Sequence, residues 1–192
     1  MFVGVPMPDA AQMALSKLQA ELRERPELAW NVSWPKAAGL HITLQFLGEI
    51  SPPRARLVGR VLEEIAAGFK PFTLDLFGVG AFPKAGRASI LWAGVRSGAE
   101  VLCKFQRELE TRLIQNGFAR EEHVFEPHLT LVRLRMPADL RAVVRQYAKF
   151  GLAGIPVGSV HVMQSELLRG GAVYTPLSTA VLGSPTKSEQ SA

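Results

Sequence analysis

The sequence predicts an α+β fold: two lobes of mostly antiparallel sheet related by a pseudo-twofold, with helices on their outer faces and a site in the cleft between them. Three observations predict it. His41-Ile42-Thr43-Leu44 and His128-Leu129-Thr130-Leu131 both read His-apolar-Thr-Leu, 87 residues apart. At that same offset the other elements fall on one another, so a whole unit repeats as a pattern. Helix-period and strand-period segments alternate with no Pro/Gly/Ser-rich linker between the copies, the arrangement expected of packed α+β layers.

The repeating unit is strand, helix, His-x-Thr strand, helix, strand. Phe2-Val3-Gly4-Val5 starts the first copy and falls on Ser89-Ile90-Leu91-Trp92. Ala11, Leu15, Leu18 and Leu22 form the apolar stripe of a helix over about 9–25, opened by Asp9 with Gln12 three residues on. After the first motif, Val58, Leu62 and Ile65 make a second stripe, opened by Ser51-Pro52 and closed by Gly68 and Pro71. Phe72–Phe82 reads as a long strand whose Gly78 and Gly80 mark a bulge or bend. The second copy repeats this order. A strand covers 89–95. Leu102, Phe105, Leu109 and Leu113 line a helix opened by Ser97 with Glu100 in the capping-box place and ended by Asn116-Gly117. Leu140, Val143, Val144 and Tyr147 make a shorter helix. Strands at 157–168 and 172–177 flank Gly170-Gly171, which reads as a hairpin turn. Residues 1–182 are expected to be one domain of two repeats, about 1–88 and 89–182, and 183–192 a disordered tail.

Composition narrows the function classes. Apolar residues are 47% of the chain, enough for a substantial core, and no stretch is long and apolar enough for a membrane-spanning helix. One cysteine, Cys103, excludes an internal disulfide and fits a reducing cytoplasm; it lies beside the third helix's apolar stripe as a small core side chain. A net charge of +5 favours an anionic partner, nucleic acid being the commonest, although the basic residues are scattered.

The duplicated motif carries the chemistry. In a strand, residues i and i+2 share a face, so each motif presents one His and one Thr together. A phosphodiester cleavage needs a base for the nucleophile, an acid for the leaving oxygen, and donors for the non-bridging oxygens. Imidazole suits the first two tasks near neutrality. The hydroxyls of Thr43 and Thr130 suit the third. No metal or other cofactor is required by this scheme. A lone His-x-Thr strand is ordinary structure; two copies at matching points of a repeat point to a paired acid/base site. The residues alone do not say which imidazole is acid and which is base.

Arg133 follows His128 by five positions, which strict alternation places on the opposite face. A bulge would swing it back to grip a phosphate. Its repeat counterpart Phe46 is a candidate base-stacking platform or a core residue. Trp34 and Tyr174 carry the same two readings. Lys84 and Arg87, in a polar turn, are a candidate RNA-backbone contact or simply solvated. His123, in the polar run from Arg120, is expected in solvent, and His161 in the core or lining the cleft. A metal site from Glu126, His128 and His41 is disfavoured by the lack of a second acidic residue near His41.

The segments His41-Ile-Thr-Leu-Gln-Phe-Leu-Gly-Glu49 and Pro127-His-Leu-Thr-Leu-Val-Arg133 resemble the two signature motifs of the two-histidine (2H) phosphoesterases, most closely the LigT-like RNA 2′,3′-cyclic phosphodiesterases of bacteria and archaea. The resemblance extends over nearly the whole chain, through Phe82-Pro83, Leu91-Trp92-Ala93-Gly94-Val95 and Gly171-Ala172-x-Tyr174. It implies a bilobal LigT-like fold and hydrolysis of an RNA 2′,3′-cyclic phosphate to a 2′-phosphomonoester. It also implies that His41 is the proton donor, His128 the proton acceptor, and Thr43 and Thr130 the phosphate-holding hydroxyls. The expected partner is RNA or an oligonucleotide; no membrane is involved, and the chain is expected to be a monomer. The alternatives are a 2′-5′ RNA ligase, a 2′-5′ oligonucleotide phosphodiesterase, or an RNA-binding module with a vestigial site.

Overall fold

The structure is a computed structural model that describes residues 1–168 and 171–184. Among these described residues nine strands join in one antiparallel sheet: β1 (Phe2–Pro6), β2 (Val32–Ser33), β3 (His41–Phe46), β4 (Phe72–Phe82), β5 (Ala88–Val95), β6 (His128–Ala138), β7 (Gly151–Val157), β8 (Ser159–Leu168) and β9 (Gly171–Val181). Four α-helices of the described residues accompany them: α1 (Asp9–Arg23), α2 (Pro52–Ala67), α3 (Ala99–Gln115) and α4 (Arg141–Gln146).

The strand order is β7-β4-β5-β6-β3-β1-β8-β9, with β2 paired to β6 off this path. The order is symmetric about the β3–β6 junction under the repeat: β3 answers β6, β1 answers β5, and β8 answers β4. The registered pair at that junction is Ile42 with Leu129, themselves 87 residues apart, so the pseudo-twofold passes between them. Each half of the chain gives its last core strand to the other. β4 pairs with β5 and β7, and β8 pairs with β1.

The strands alternate as half-buried sheets do. Val3 and Val5, Ile42 and Leu44, Leu91 and Ala93, and Leu129 and Leu131 turn one way and join a single apolar core. The helix stripes expected from the sequence fill it from one side: Leu15 and Leu22, Leu62 and Ile65, Leu102 and Leu109, and Val143 are all buried there. α2 lies on β8 and β9 and touches α3, which lies on β3; α1 reaches β7, and α4 lies on β4. The opposite face of the central strands is left to form the site.

Several boundaries differ from the sequence expectation, each for a local reason. Ser97 does not cap α3. Gly98 does, at φ 78°, because the chain doubles back so tightly against β4 that a β-carbon would lie 2.8 Å from the Thr73 carbonyl oxygen. β7 was not expected, since Gly151, Gly154 and Pro156 break strand patterns. It is an edge strand, where proline removes no shared ladder bond. β2 is only two residues long and carries no periodic signal. The bend expected around Gly78 is present as a register shift between Leu76 and Val79, with Gly78 at φ 69°. β8 and β9 pair up to Leu168 with Gly171. Gly170 of the expected hairpin turn, and 185–192 of the expected tail, lie outside the described residues.

Candidate active site

β3 and β6 bring the two motifs side by side. From the Ile42–Leu129 register, His41 stands across from Thr130, and Thr43 across from His128. The four side chains occupy the corners of one patch, and all four are half-buried while their neighbours Ile42, Leu44, Leu129 and Leu131 are buried.

Each imidazole is oriented by the backbone two residues before it. Nδ1 of His41 lies 2.7 Å from the Gly39 carbonyl oxygen, and Nδ1 of His128 lies 2.7 Å from the Glu126 carbonyl oxygen. Gly39 and Glu126 are again 87 residues apart. Only a protonated Nδ1 can donate to a carbonyl, so the neutral ring carries its free lone pair on Nε2. Aromatic rings then clamp each imidazole. Phe2 stacks on His41 at 4.5 Å and Tyr174 meets it edge-on at 4.9 Å. Phe82 meets His128 edge-on at 5.0 Å, with Trp92 at 6.0 Å.

This enclosure sets the proton affinities. Desolvation is the largest effect on both rings and holds both below the ordinary histidine value. Their backbone hydrogen bonds oppose it. The Arg133 guanidinium lowers both further, and His128 lowers His41, whereas the Glu126 carboxylate raises His128.

Arg133 reaches the site through a bulge. β5 and β6 pair Leu91 with Val132 but Trp92 with Thr130, so Leu131 is an extra residue on β6. Leu131 and Val132 are both buried, and Arg133 returns to the face of His128. β3 has the same device at the equivalent residue: β1 pairs Val3 with Gln45 but Gly4 with Thr43, leaving Leu44 extra. Gln45 is consequently buried, and Phe46 is 60% exposed on the site face, 6.5 Å from Phe2. Phe46 is therefore not a core residue.

A groove of about 620 Å³ opens from the motif strands, lined by Thr43, Phe46, Phe82, Ile90, Phe125 and His128 among others. Its lining is mostly apolar. His123 stands exposed on its rim beside Glu121. His161 is half-buried, hydrogen-bonded to Ser159 at 2.9 Å, and in register with Gly4 on β1. Trp34 packs on the core with the Arg23 guanidinium over its ring. Lys84 and Arg87 are exposed. Among the described residues no three His, Cys, Asp or Glu side chains gather as a metal-ligating group. No helix among them is long and apolar enough to cross a membrane. Sequence reasoning missed Phe2, Phe82 and Trp92 as clamps, although Phe2 and Trp92 stand on the strands that flank the motif strands and Phe82 on the next strand beyond β5. It also missed the two carbonyls, whose only trace is their constant position two residues before each His.

A sheet that joins two His-x-Thr strands about a pseudo-twofold, with helices on its far side, defines the two-histidine phosphoesterase class. The profile of the family described as "LigT like Phosphoesterase" matches residues 5–92 and 94–174, and the chain belongs to that family. Among curated relatives, the RNA 2′,3′-cyclic phosphodiesterase of Aeropyrum pernix is 38% identical over 140 residues, covering 71% of this chain and 78% of its own. That of Archaeoglobus fulgidus is 31% identical over 181 residues, covering 92% and 97%. A crystal structure from Thermus thermophilus superposes with a TM-score of 0.75 at 25% identity, covering 95% of this chain and 97% of the other. E. coli LigT complexed with 3′-AMP shares the fold, with a TM-score of 0.70 at 23% identity over 95% and 97%.

Proposed function

We propose that the protein hydrolyses RNA 2′,3′-cyclic phosphate ends to 2′-phosphomonoesters by metal-independent two-histidine catalysis. The observation that carries this reading is the pair of imidazoles on adjacent strands, each with Nδ1 committed to a backbone carbonyl and Nε2 left for the substrate. The names of the curated relatives support the same substrate.

In the reacting complex the pair holds one proton. His128 Nε2 takes a proton from water as the water oxygen bonds to phosphorus. The bond from phosphorus to O3′ breaks with its electrons on O3′, and His41 Nε2–H protonates that oxygen. One proton thus passes from His41 to His128, and solvent exchange restores the pair. The direction of proton flow, with His41 as donor and His128 as acceptor, is the one that the resemblance of the two motifs to those of the two-histidine phosphoesterases implies; both rings are held below the ordinary histidine value, so either can exchange a proton near neutrality. Thr43 and Thr130 donate to the non-bridging oxygens, Arg133 balances the charge that develops there, and Phe46 offers its exposed ring to a base.

Both motifs come from one chain, so a monomer suffices. The single cysteine suits a reducing compartment, and we assign the activity to the cytoplasm on that account. The test is a short RNA ending in a 2′,3′-cyclic phosphate, assayed with chelator present. Wild-type protein is expected to yield the 2′-phosphomonoester. His41→Ala and His128→Ala are each expected to lose about 10²–10⁴-fold in rate. Near wild-type turnover in either variant, or a requirement for metal, overturns the reading.

A further inference from the structure

The bulges at Leu44 and Leu131 decide which side chains join the motif residues, and something must hold them. A bulge breaks the ladder and leaves a backbone polar group without its strand partner, which is costly in a core. The described residues contain three buried polar side chains: Gln19, Gln45 and Gln106. All three are at the bulges. Gln19, on α1, reaches across the core to donate from Nε2 to the Leu131 carbonyl at 3.0 Å, and to the Pro35 carbonyl in the loop before β3 at 3.1 Å. Gln106, on α3, lies 87 residues after Gln19 and donates to Oε1 of Gln45, the residue next to the extra Leu44, at 3.4 Å. The two halves differ in one respect. Gln45 has the apolar Val132 as its counterpart, so on that side the helix amide bonds the bulge carbonyl directly.

We propose that Gln19 and Gln106 are positioning residues: Gln19 fixes the β6 bulge that delivers Arg133 to the phosphate, and Gln106 fixes the β3 bulge that delivers Phe46. Gln19 lies outside the lining of the groove, whereas Gln106 borders the groove with its amide engaged by Gln45. This rests on the reading of the site above, in which Arg133 and Phe46 face the substrate. It extends that reading to Gln19, a buried residue of α1 that reaches the β6 bulge from the core side of the sheet.

The test is a double-mutant cycle with Gln19→Met, which keeps the shape and removes the donor, and Arg133→Ala. A lost charge-assisted contact to phosphate is worth about 10-fold or more in binding. Gln19→Met is expected to raise KM for the cyclic phosphate by about 10-fold while kcat stays within about twofold. In the Arg133→Ala background it is expected to add almost nothing, because the residue it positions is gone. A purely structural role predicts multiplying losses, and that result, or an unchanged KM in folded Gln19→Met, overturns the proposal. If Gln19→Met does not fold, Gln106→Met against Phe46→Ala decides the same claim. A readout free of substrate separates this from the catalytic reading. By NMR titration, Arg133→Ala is expected to raise the midpoints of His41 and His128, with Glu126 unchanged beside the latter. Gln19→Met is expected to raise them in the same direction, and the double variant to add nothing further. Failure of wild type to hydrolyse the cyclic phosphate removes the proposed function but leaves this titration decisive for the positioning claim.

Discussion

The indole of Trp92 lies flat across Gly80 on the neighbouring strand, so close that a β-carbon there would stand 2.3 Å from both Cη2 and Cζ2. The same indole packs on Phe82 at 5.1 Å and borders His128. Glycine is therefore required at this position by a side chain that helps clamp one of the two imidazoles.

Gly80→Ala is expected to lift Trp92 and loosen the aromatic contact around His128. The expected result is at least a 10-fold lower kcat, with a changed tryptophan emission spectrum in a protein that still unfolds cooperatively. Unchanged turnover would show that His128 does not need this clamp.

Gly39 makes a parallel case on the other side. A β-carbon there would meet the Tyr174 ring at 2.8 Å, while the Gly39 carbonyl holds His41. Gly39→Ala is expected to lower kcat. Tyr174→Ala, added to Gly39→Ala, removes the clash and is expected to restore part of the loss, measured as initial rates on the cyclic phosphate.

The pH dependence of kcat/KM follows from the directions of the two shifts. The productive form carries one proton on the pair, and both rings titrate below the ordinary value of about 6.5. The optimum is therefore expected on the acid side of that value. Arg133 depresses both rings, so Arg133→Ala is expected to move the optimum toward higher pH. A maximum above neutrality in wild type would contradict the enclosure described here.

Stability should respond to pH in the same window. A histidine whose folded pKa is lowered binds its proton more readily in the unfolded chain, so the folded state loses ground as pH falls below about 6.5. Above that value both states are neutral and the penalty is absent. Urea unfolding at pH 8 and pH 5.5 is expected to show a drop for wild type and a smaller one for His41→Gln/His128→Gln. His161, also lowered by desolvation, keeps part of the effect in that variant. Asp139, held at about 2 by Arg141, titrates well below this range.

Leu62 is completely buried on α2. Leu62→Ala is expected to cost about 2–5 kcal/mol of stability by leaving a cavity, with little change in the specific activity of the folded fraction. Thermal or urea unfolding beside initial rates checks both parts.

The repeat, the four helices and the four motif residues were legible because periodicity and duplication are properties of the chain itself. The stripes through Leu15, Leu62, Leu109 and Val143 lie in the core as read. What the pattern could not settle was side. Alternation alone puts Arg133 and Phe46 behind the sheet, and only the extra residues Leu131 and Leu44 reverse it. A bulge leaves no mark beyond two adjacent buried residues, and Leu-Val or Leu-Gln reads equally well in a regular strand. β7 was hidden because its glycines and proline are tolerated at an edge, and the edge is known only from the assembled sheet.

The exchange of β4 and β8 between the halves has a consequence for how such a chain can be divided. A polypeptide ending near residue 87 would carry β4 with both of its partners missing, and one beginning there would leave β8 without β1. Neither fragment could close its own hydrogen-bonding ladder. Expressed as separate pieces, they should remain unfolded or sticky alone and become an ordered, working heterodimer only on mixing, each completing the other's unfinished edge.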